Sequence, residues 1–202
     1  MRVLLRRPML IGAVLIGTLL PYRALAQEMA TPGPFPQTPN PAACVVEALT
    51  VEDVLTALAP SATPAVATPG AVVEQGELAD AATADAVKGT LLQVFACANA
   101  GDALRFASLY TEPFLRDFFG GVPQADLEAF LAMPPQPLPT EQRRIIRGVG
   151  DVELLPDGRA RVEIILDEPD DPRTEEPDTV ILLQVDGRWL VDEIHEDVGA
   201  ES

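Results

Sequence analysis

The side chains best suited to proton transfer in this sequence are one phenol and two carboxylates. Tyr110 ends a short helical pattern, and Asp192 shares the face of a predicted strand with apolar residues. A buried carboxylate can move a proton while a phenol donates a hydrogen bond to the oxygen that becomes negative. Tyr110 with Asp192, or with Asp151, is therefore the candidate acid–base pair. The alternative is a carboxylate at the sheet edge that pairs with Arg147 or with water.

One histidine and one acidic segment are the other chemically suggestive features. His195 is the single histidine, and no serine or cysteine nucleophile accompanies it at the spacing of a catalytic triad, so we expect a surface histidine. Residues 167–178 contain seven carboxylates and three prolines. They lack the alternating oxygen ligands and central glycine of an EF-hand, so we expect a solvated hairpin loop. No phosphate-binding or dinucleotide motif is present, and no cofactor is expected.

The first 26 residues have the pattern of a secretory signal peptide. Three arginines precede an apolar run over residues 9–20, and an Ala-Leu-Ala cleavage site ends at Ala26. The alternative is a retained membrane anchor, but the apolar run is shorter than a membrane span requires. We therefore expect a secreted, extracytoplasmic protein that has no contact with the membrane after cleavage.

The two cysteines of an exported chain predict one disulfide bond, here between Cys44 and Cys97. The bond would attach the N-terminal part of the chain to a long predicted helix. The alternative is a pair of buried free thiols. Two thiols and one histidine cannot fill the coordination sphere of zinc, so no metal site is expected.

The composition is strongly acidic, with a formal net charge of −17 at pH 7. The predicted signal peptide holds four of the 14 basic residues and none of the acidic ones, so the mature protein is more acidic still. Such a surface repels phosphate backbones and anionic lipid headgroups. Nucleic acids and membrane surfaces are therefore not expected as partners.

Composition divides the chain into five segments. They are the signal peptide (1–26), a proline-rich disordered tail (27–43), a short helical strap (44–58), an Ala/Pro-rich linker (59–77) and a globular domain (78–198). Prolines lack the amide donor and hold an extended backbone, which predicts the tail and the linker. Thr50 before acidic residues predicts the start of a helix in the strap, which is too small to fold alone.

The globular domain begins with helical patterns. Asp80 or Thr83 can cap a long helix whose apolar stripe is Val87, Leu91, Val94, Phe95 and Ala98. Gly101 ends this helix, and Asp102 caps the next, ALRFASLY. Two shorter helices are predicted in PFLRDFF and in QADLEAFLAM, the second with a buried face of Leu127, Phe130 and Leu131.

After residue 141 the apolar period changes from about 3.6 to about 2 residues. Strands are predicted over residues 144–155, 160–167, 178–185 and 189–195, and Asp186-Gly187 favours a tight hairpin between the last two. Helices followed by an antiparallel meander predict an α+β fold. We expect the helices to pack on the concave face of a curved antiparallel sheet.

Three stretches of the chain resemble the nuclear transport factor 2-like superfamily, the cone-shaped fold that includes SnoaL-like and ketosteroid-isomerase-like proteins. They are ACANAGD, ALRFASLYT and TVILLQVDGRWLVDEI. The resemblance covers residues 80–197, and the strap with Cys44 resembles a secreted bacterial variety of the domain. The chain departs from the family at EPFLRDFFGG, which looks helical where a short strand is usual. These motifs are structural, so no family catalytic residue is carried over.

A cone closed by helices commonly holds an apolar cavity with a few polar groups. The aromatic side chains expected to line such a pocket are Phe106, Tyr110, Phe114, Phe118, Phe119 and Phe130. The alternative is that these rings fill the core, because large aromatic side chains dominate any core.

Two functions from different classes follow from these features. The first is a secreted, non-catalytic domain that binds a small apolar ligand or a protein partner, including a homodimer through the open face of the sheet. The second is an isomerase or cyclase that uses Tyr110 with a buried carboxylate, Asp192 or Asp151. If the side of the last strand that bears Trp189 faces the helices, Asp192 leaves the pocket and Glu193 becomes the carboxylate to examine.

Overall fold

A computed structural model of the chain describes residues 34–59, 76–167, 169 and 176–196. The predicted signal peptide, most of the 59–77 linker and most of the acidic 167–178 segment lie outside the described residues. The described part is an α+β fold of five α-helices and a six-stranded antiparallel sheet. None of the helices in these ranges is long and apolar enough to cross a membrane.

Apart from a two-residue strand before the long helix, the helices and strands follow the predicted order, helices first and sheet after. The α-helices are α1 (Val51–Leu58), α2 (Ala81–Ala100), α3 (Ala103–Ala107), α4 (Glu112–Phe118) and α5 (Gln124–Leu131). The strands are β1 (Glu77–Leu78), β2 (Ile145–Val149), β3 (Glu153–Leu154), β4 (Ala160–Asp167), β5 (Pro177–Val185) and β6 (Arg188–Glu196). Single turns of 3-10 helix occur at Pro41–Ala43 and Thr140–Gln142.

Side-chain caps explain where the first two helices begin. The amide of Asp53 donates to Oγ1 of Thr50 over 3.1 Å, and the amide of Thr50 donates to the Asp53 carboxylate over 2.9 Å, which completes a capping box at α1. Of the two predicted caps of α2, Asp80 is the one used, because it accepts from the amide of Thr83 over 2.8 Å. Local sequence therefore determines both starts.

The corner between α2 and α3 joins three distant parts of the chain. Asn99 is fully buried, donates to the carbonyls of Pro39 (3.0 Å) and Arg144 (3.2 Å), and accepts from the amide of Arg144 (2.9 Å). Gly101 has φ of 61°, and a Cβ at this position would overlap the backbone of Gln136. The Asn-Ala-Gly-Asp sequence is thus suited to a crowded, hydrogen-bonded turn.

The sheet has the strand order β1-β3-β4-β5-β6, and β2 also pairs with β4. Because β5 occupies the other side of β4, β2 and β3 lie one after the other along the same side of it. The single strand predicted over residues 144–155 is therefore interrupted. Strand β2 contains a register shift between Ile146 and Gly148 and still pairs with β4 as far as Val149. The chain then leaves the ladder and rejoins it at Glu153.

Other parts of the chain pair with both edges of the sheet. Gln37 and Ile146 exchange two backbone hydrogen bonds of 2.8 Å beside β2. At the opposite edge, Val191 of β6 donates to the carbonyl of Leu109 and accepts from the amide of Thr111, both over 2.9 Å. This second contact places the end of α3 and the start of α4 directly beside β6.

The disulfide predicted between Cys44 and Cys97 is confirmed, with a Cα–Cα distance of 4.7 Å. It attaches the strap to the middle of the fold, and Val54 of α1 is fully buried there. Residues 34–43, predicted as part of a disordered tail, instead lie on the domain because the bonds to Asn99 and Ile146 hold them. A bond of this kind is typical of proteins outside the cytoplasm.

One hydrophobic core joins the helices and the sheet. Its buried members include Val54, Val87, Leu91, Leu115, Leu127, Val162, Ile164, Leu182, Trp189 and Val191. Trp189 and Val191 thus face the helices, and Oγ1 of Thr90 on α2 donates to the carbonyl of Trp189 over 3.3 Å. The side of β6 that bears Trp189 therefore faces the helices, which is the condition under which Glu193 becomes the carboxylate to examine.

The prediction that Phe130 is buried is wrong, because its side chain is 45% exposed. Leu127 and Leu131 of the same helix are 3% and 1% exposed, as predicted. Phe130 lies about 60° around the helix from Leu127, which takes it off the inward line. The short α5 therefore carries one large apolar side chain at the surface.

Candidate functional site

An aromatic row runs from the end of α3 along α4. The ring of Tyr110 stacks at 4.6 Å on Phe114 and lies 4.7 Å from Phe106. Phe114 in turn stacks on Phe118 at 5.9 Å, and Phe118 meets Phe119 edge-on at 4.9 Å. Phe114 and Phe118 are four residues apart within α4, so helical geometry brings these two rings to one side. Tyr110 lies between α3 and α4, where it pairs with β6. Each of these contacts has the geometry that favours aromatic pairing.

The aromatic row connects the core to the surface. Tyr110 is 7% exposed and Phe118 is 57% exposed, while Phe106, Phe114 and Phe119 are half-buried against the core. Four of the five rings thus pack on one another and on the core. Phe130, the sixth aromatic of the predicted pocket, lies on α5 and is exposed.

Asp192 occupies a β-bulge in the last strand. Ile181 pairs with Glu193 and Leu182 pairs with Val191, so Asp192 is the extra residue between them. The strict alternation assumed from the sequence therefore fails at this point, because a bulge shifts every later side chain relative to the earlier ones. Strict alternation from Trp189 and Val191 would place Ile194 on the outer face, whereas the bulge pairs Ile194 with the core residue Val180. The Ile194 side chain is 42% exposed.

The carboxylate of Asp192 is held by two neighbours. Oγ1 of Thr111 donates to its Oδ1 over 2.7 Å, and Nη1 of Arg159 lies 3.6 Å from its Oδ2. The Asp192 side chain is 16% exposed. Thr111 is also the N-cap of α4, and its backbone pairs with Val191. The contact between α4 and the edge of β6 therefore brings Thr111 and Asp192 together.

Arg159 links the turn before β4 to the carboxylates of β6. Its guanidinium pairs with Glu193 and with Asp157, the latter at 2.7 Å. Burial opposes the charge of Arg159, but hydrogen bonds with Asp157 and Glu193 outweigh it and raise its pKa. Burial also opposes ionisation of Glu193, but hydrogen bonds from His195, at 2.8 Å, and from Arg159 lower the pKa of Glu193.

The second candidate carboxylate, Asp151, lies far from the aromatic row. It is exposed and falls between β2 and β3. Strands β4 and β5 separate β3 from β6, which corresponds to roughly 14 Å at the usual strand spacing. Tyr110 pairs with Val191 of β6, so the fold brings Asp192 rather than Asp151 to its vicinity.

The contacts around Asp192 fix the positions of its own carboxylate and of the Glu193 carboxylate. A general base needs a carboxylate that can reach a substrate proton, whereas Asp192 accepts from Thr111 and Glu193 is bound by Arg159 and His195. Within the described ranges, no group of three or more acidic, histidine or cysteine side chains is placed to hold a metal ion. These contacts stabilise the junction of α4, β6 and the turn before β4.

A shallow depression of about 420 Å³ lies beside the corner between α2 and α3. Its walls include Cys44, Pro41, Pro135, Pro137, Arg105 and Arg143. Arg105 is paired with Asp102 at 2.7 Å and donates to the carbonyl of Val46 at 3.0 Å, and these contacts hold its guanidinium at the wall of the depression. The sequence alone did not predict this feature, because its walls come from three segments that only the fold brings together.

Comparison of the chain with protein-family models, with curated proteins and with solved structures finds no match. The functional argument therefore rests on the residues and contacts of this chain.

Proposed function

We propose that this protein is an extracytoplasmic, non-catalytic domain that binds another protein through its helical side. The observation that carries the proposal is the aromatic row, which begins in the core at Tyr110 and ends at the exposed ring of Phe118. We also propose that the fold is a secreted member of the nuclear transport factor 2-like superfamily, on the strength of the helical and strand motifs that resemble it.

The contacts of the candidate acid–base residues support a non-catalytic role. Tyr110 stacks on Phe114, contacts the tilted ring of Phe106 and is 7% exposed. The Asp192 carboxylate is hydrogen-bonded to Thr111 and lies near Arg159. Groups packed in this way contribute to the stability of the fold, whereas a catalytic pair must be open to a reacting molecule.

The exposed apolar side chains support a protein partner more than a small ligand. Phe118, Val122, Phe130 and Met133 are 57%, 45%, 45% and 53% exposed. All four lie within sixteen residues of chain, in α4, α5 and the residues that follow each. Aromatic and methionine side chains are enriched at protein interfaces, and a small-ligand site would enclose them in a concave pocket.

Site-specific cross-linking in the producing cell tests the proposed function. In one variant a photoreactive phenylalanine analogue replaces Phe118. In the matched control the same analogue replaces Leu78, whose side chain on β1 is 72% exposed. We expect a cross-linked adduct with a second polypeptide at position 118 and none at position 78. Equal labelling at the two positions, or an apolar metabolite that remains bound in native mass spectrometry, would contradict the proposal.

One observation favours the alternative, an isomerase or cyclase. Asp192 is mostly buried and directly follows Val191, the residue that pairs with Tyr110. Such an enzyme would exchange the protons beside a ketone carbonyl. Incubation of cyclic ketones with the protein in deuterium oxide, followed by NMR, measures this exchange. Exchange that Asp192→Asn and Tyr110→Phe both abolish would replace the binding function with the enzymatic one.

A further inference from the structure

We propose that exposed apolar side chains of α4 and α5 bind a cationic, amphipathic segment of a partner protein. The exposed side chains are Phe118, Val122, Phe130 and Met133. They lie in or just after two helices that both pack against α1, and we call them the hairpin surface. The inference rests on the proposed binding function and adds the location and the chemistry of the partner.

The hairpin surface is not needed to hold the two helices in the fold. Leu115 of α4 and Leu127 of α5 are 2% and 3% exposed and belong to the core that includes Val54 of α1. Phe118 follows Leu115 by three residues, and Phe130 follows Leu127 by three. Each phenylalanine therefore lies about 60° around its helix from the buried leucine. The side chains that project from these flanks are available for a second molecule.

Carboxylates accompany the apolar side chains of the hairpin surface. Asp117 precedes Phe118, and Asp126 lies four residues before Phe130 on the same side of α5. Both aspartates are exposed, and within the described part of the chain neither carboxylate has a hydrogen bond or an ion pair. Glu128, in contrast, accepts from Gln124 over 2.7 Å. Two unpaired negative charges thus border an apolar surface.

Charge determines which occupant suits this surface. The protein carries a formal net charge of −17, so a second copy, a nucleic acid and an anionic membrane are all repelled. A segment that alternates large apolar side chains with lysine or arginine satisfies both features of the surface. Its apolar groups would cover Phe118 and Phe130, and its cations would pair with Asp117 and Asp126. Long-range attraction to the acidic protein would also accelerate its association.

The probe for this inference is a synthetic helical peptide of about 18 residues, with leucine on one face and lysine on the other. Fluorescence anisotropy measures its binding to the mature protein at low and high salt. A peptide of the same pattern with glutamate in place of lysine is the control for charge. We expect the lysine peptide to bind, its affinity to fall with salt, and the glutamate peptide not to bind.

Two double variants and one single-residue control locate the bound peptide. Phe118→Ser/Phe130→Ser should weaken binding by about 30-fold or more, and Leu78→Ser should leave it unchanged. Asp117→Asn/Asp126→Asn should weaken binding about fivefold at low salt and reduce its salt dependence. All substituted side chains are exposed, and circular dichroism confirms that each variant is folded.

Several results would overturn the inference. They are binding of the glutamate peptide with equal affinity, binding that the hairpin variants do not weaken, adsorption to neutral lipid vesicles through Phe118, and a dimer in sedimentation that Phe118→Ser/Phe130→Ser abolishes. Cross-linking of a partner at position 118 without binding of the lysine peptide would refute only the partner chemistry. Absence of both would refute the proposed binding function as well.

Discussion

Reduction of the Cys44–Cys97 bond is the sharpest perturbation of this fold. The two cysteines are separated by 53 positions along the chain, and the loop between them contains α1 and most of α2. In the folded protein the strap also has backbone hydrogen bonds and the buried side chain of Val54. Reduction therefore leaves the folded state largely unchanged and lowers stability mainly by increasing the conformational entropy of the unfolded chain.

The magnitude follows from the size of the loop. Closing a loop of this length lowers the entropy of the unfolded chain by an amount equivalent to about 4 kcal/mol of stability. For a domain of this size, that loss lowers the melting temperature by roughly 8–16 °C. The slope of free energy against denaturant should increase slightly, because the reduced unfolded chain exposes more surface.

Urea denaturation of the mature protein with and without a reductant measures the difference. A Cys44→Ala/Cys97→Ala variant is the control, because its unfolding midpoint must not respond to the reductant. Its midpoint should match that of the reduced protein, apart from the small loss of stability caused by removing the buried sulfur atom at position 97. Coincident midpoints in oxidised and reduced protein would refute the loop-entropy argument. Two free thiols in the mass of the unreduced protein would refute the bond itself.

Three further experiments test particular contacts, each by urea denaturation. Asn99→Ala removes the partner of one buried and two partly buried backbone groups and should cost about 3 kcal/mol; a loss under 1 kcal/mol would show that water replaces the amide. Gly101→Ala should cost more than Gly121→Ala, because both have positive φ but only position 101 is crowded by Gln136; equal losses would remove the steric explanation. The folded-state pKa of Glu193 is lowered, so its contribution to stability is present above the unfolded pKa and is lost as pH falls through the folded value. Glu193→Gln should therefore lose less stability than wild type between about pH 5 and pH 3, and parallel pH curves would contradict the assignment.

Local sequence predicted the helix ends and the class of fold because these depend on residues close together in the chain. A hydroxyl or carboxylate caps the amides two or three residues later, so Thr50 and Asp80 could be recognised without a structure. The change of apolar period from helix to strand reports which face of each element is buried, and the sheet strands of residues 160–196 followed from it.

The candidate site could not be predicted in the same way, because it depends on register between strands. The bulge at Asp192 arises where Ile181 and Leu182 pair with residues that are two apart, and a single strand read alone carries no sign of it. The exposure of Phe130 likewise depends on which line of a short helix meets α1. Neither follows from periodicity, since periodicity assumes unbroken alternation and a full inward face.

What the sequence determined by itself is the acidic composition, the helix caps, the helix-then-sheet order and a disulfide between its only two cysteines, all of which require only residue types and short spacings. The tertiary structure alone decided that Thr111 and Arg159 hold Asp192, that Asn99 joins three segments, and that the aromatic row ends at the surface. The physical reason is that these contacts join residues far apart in the chain, whose meeting is set by packing and strand register.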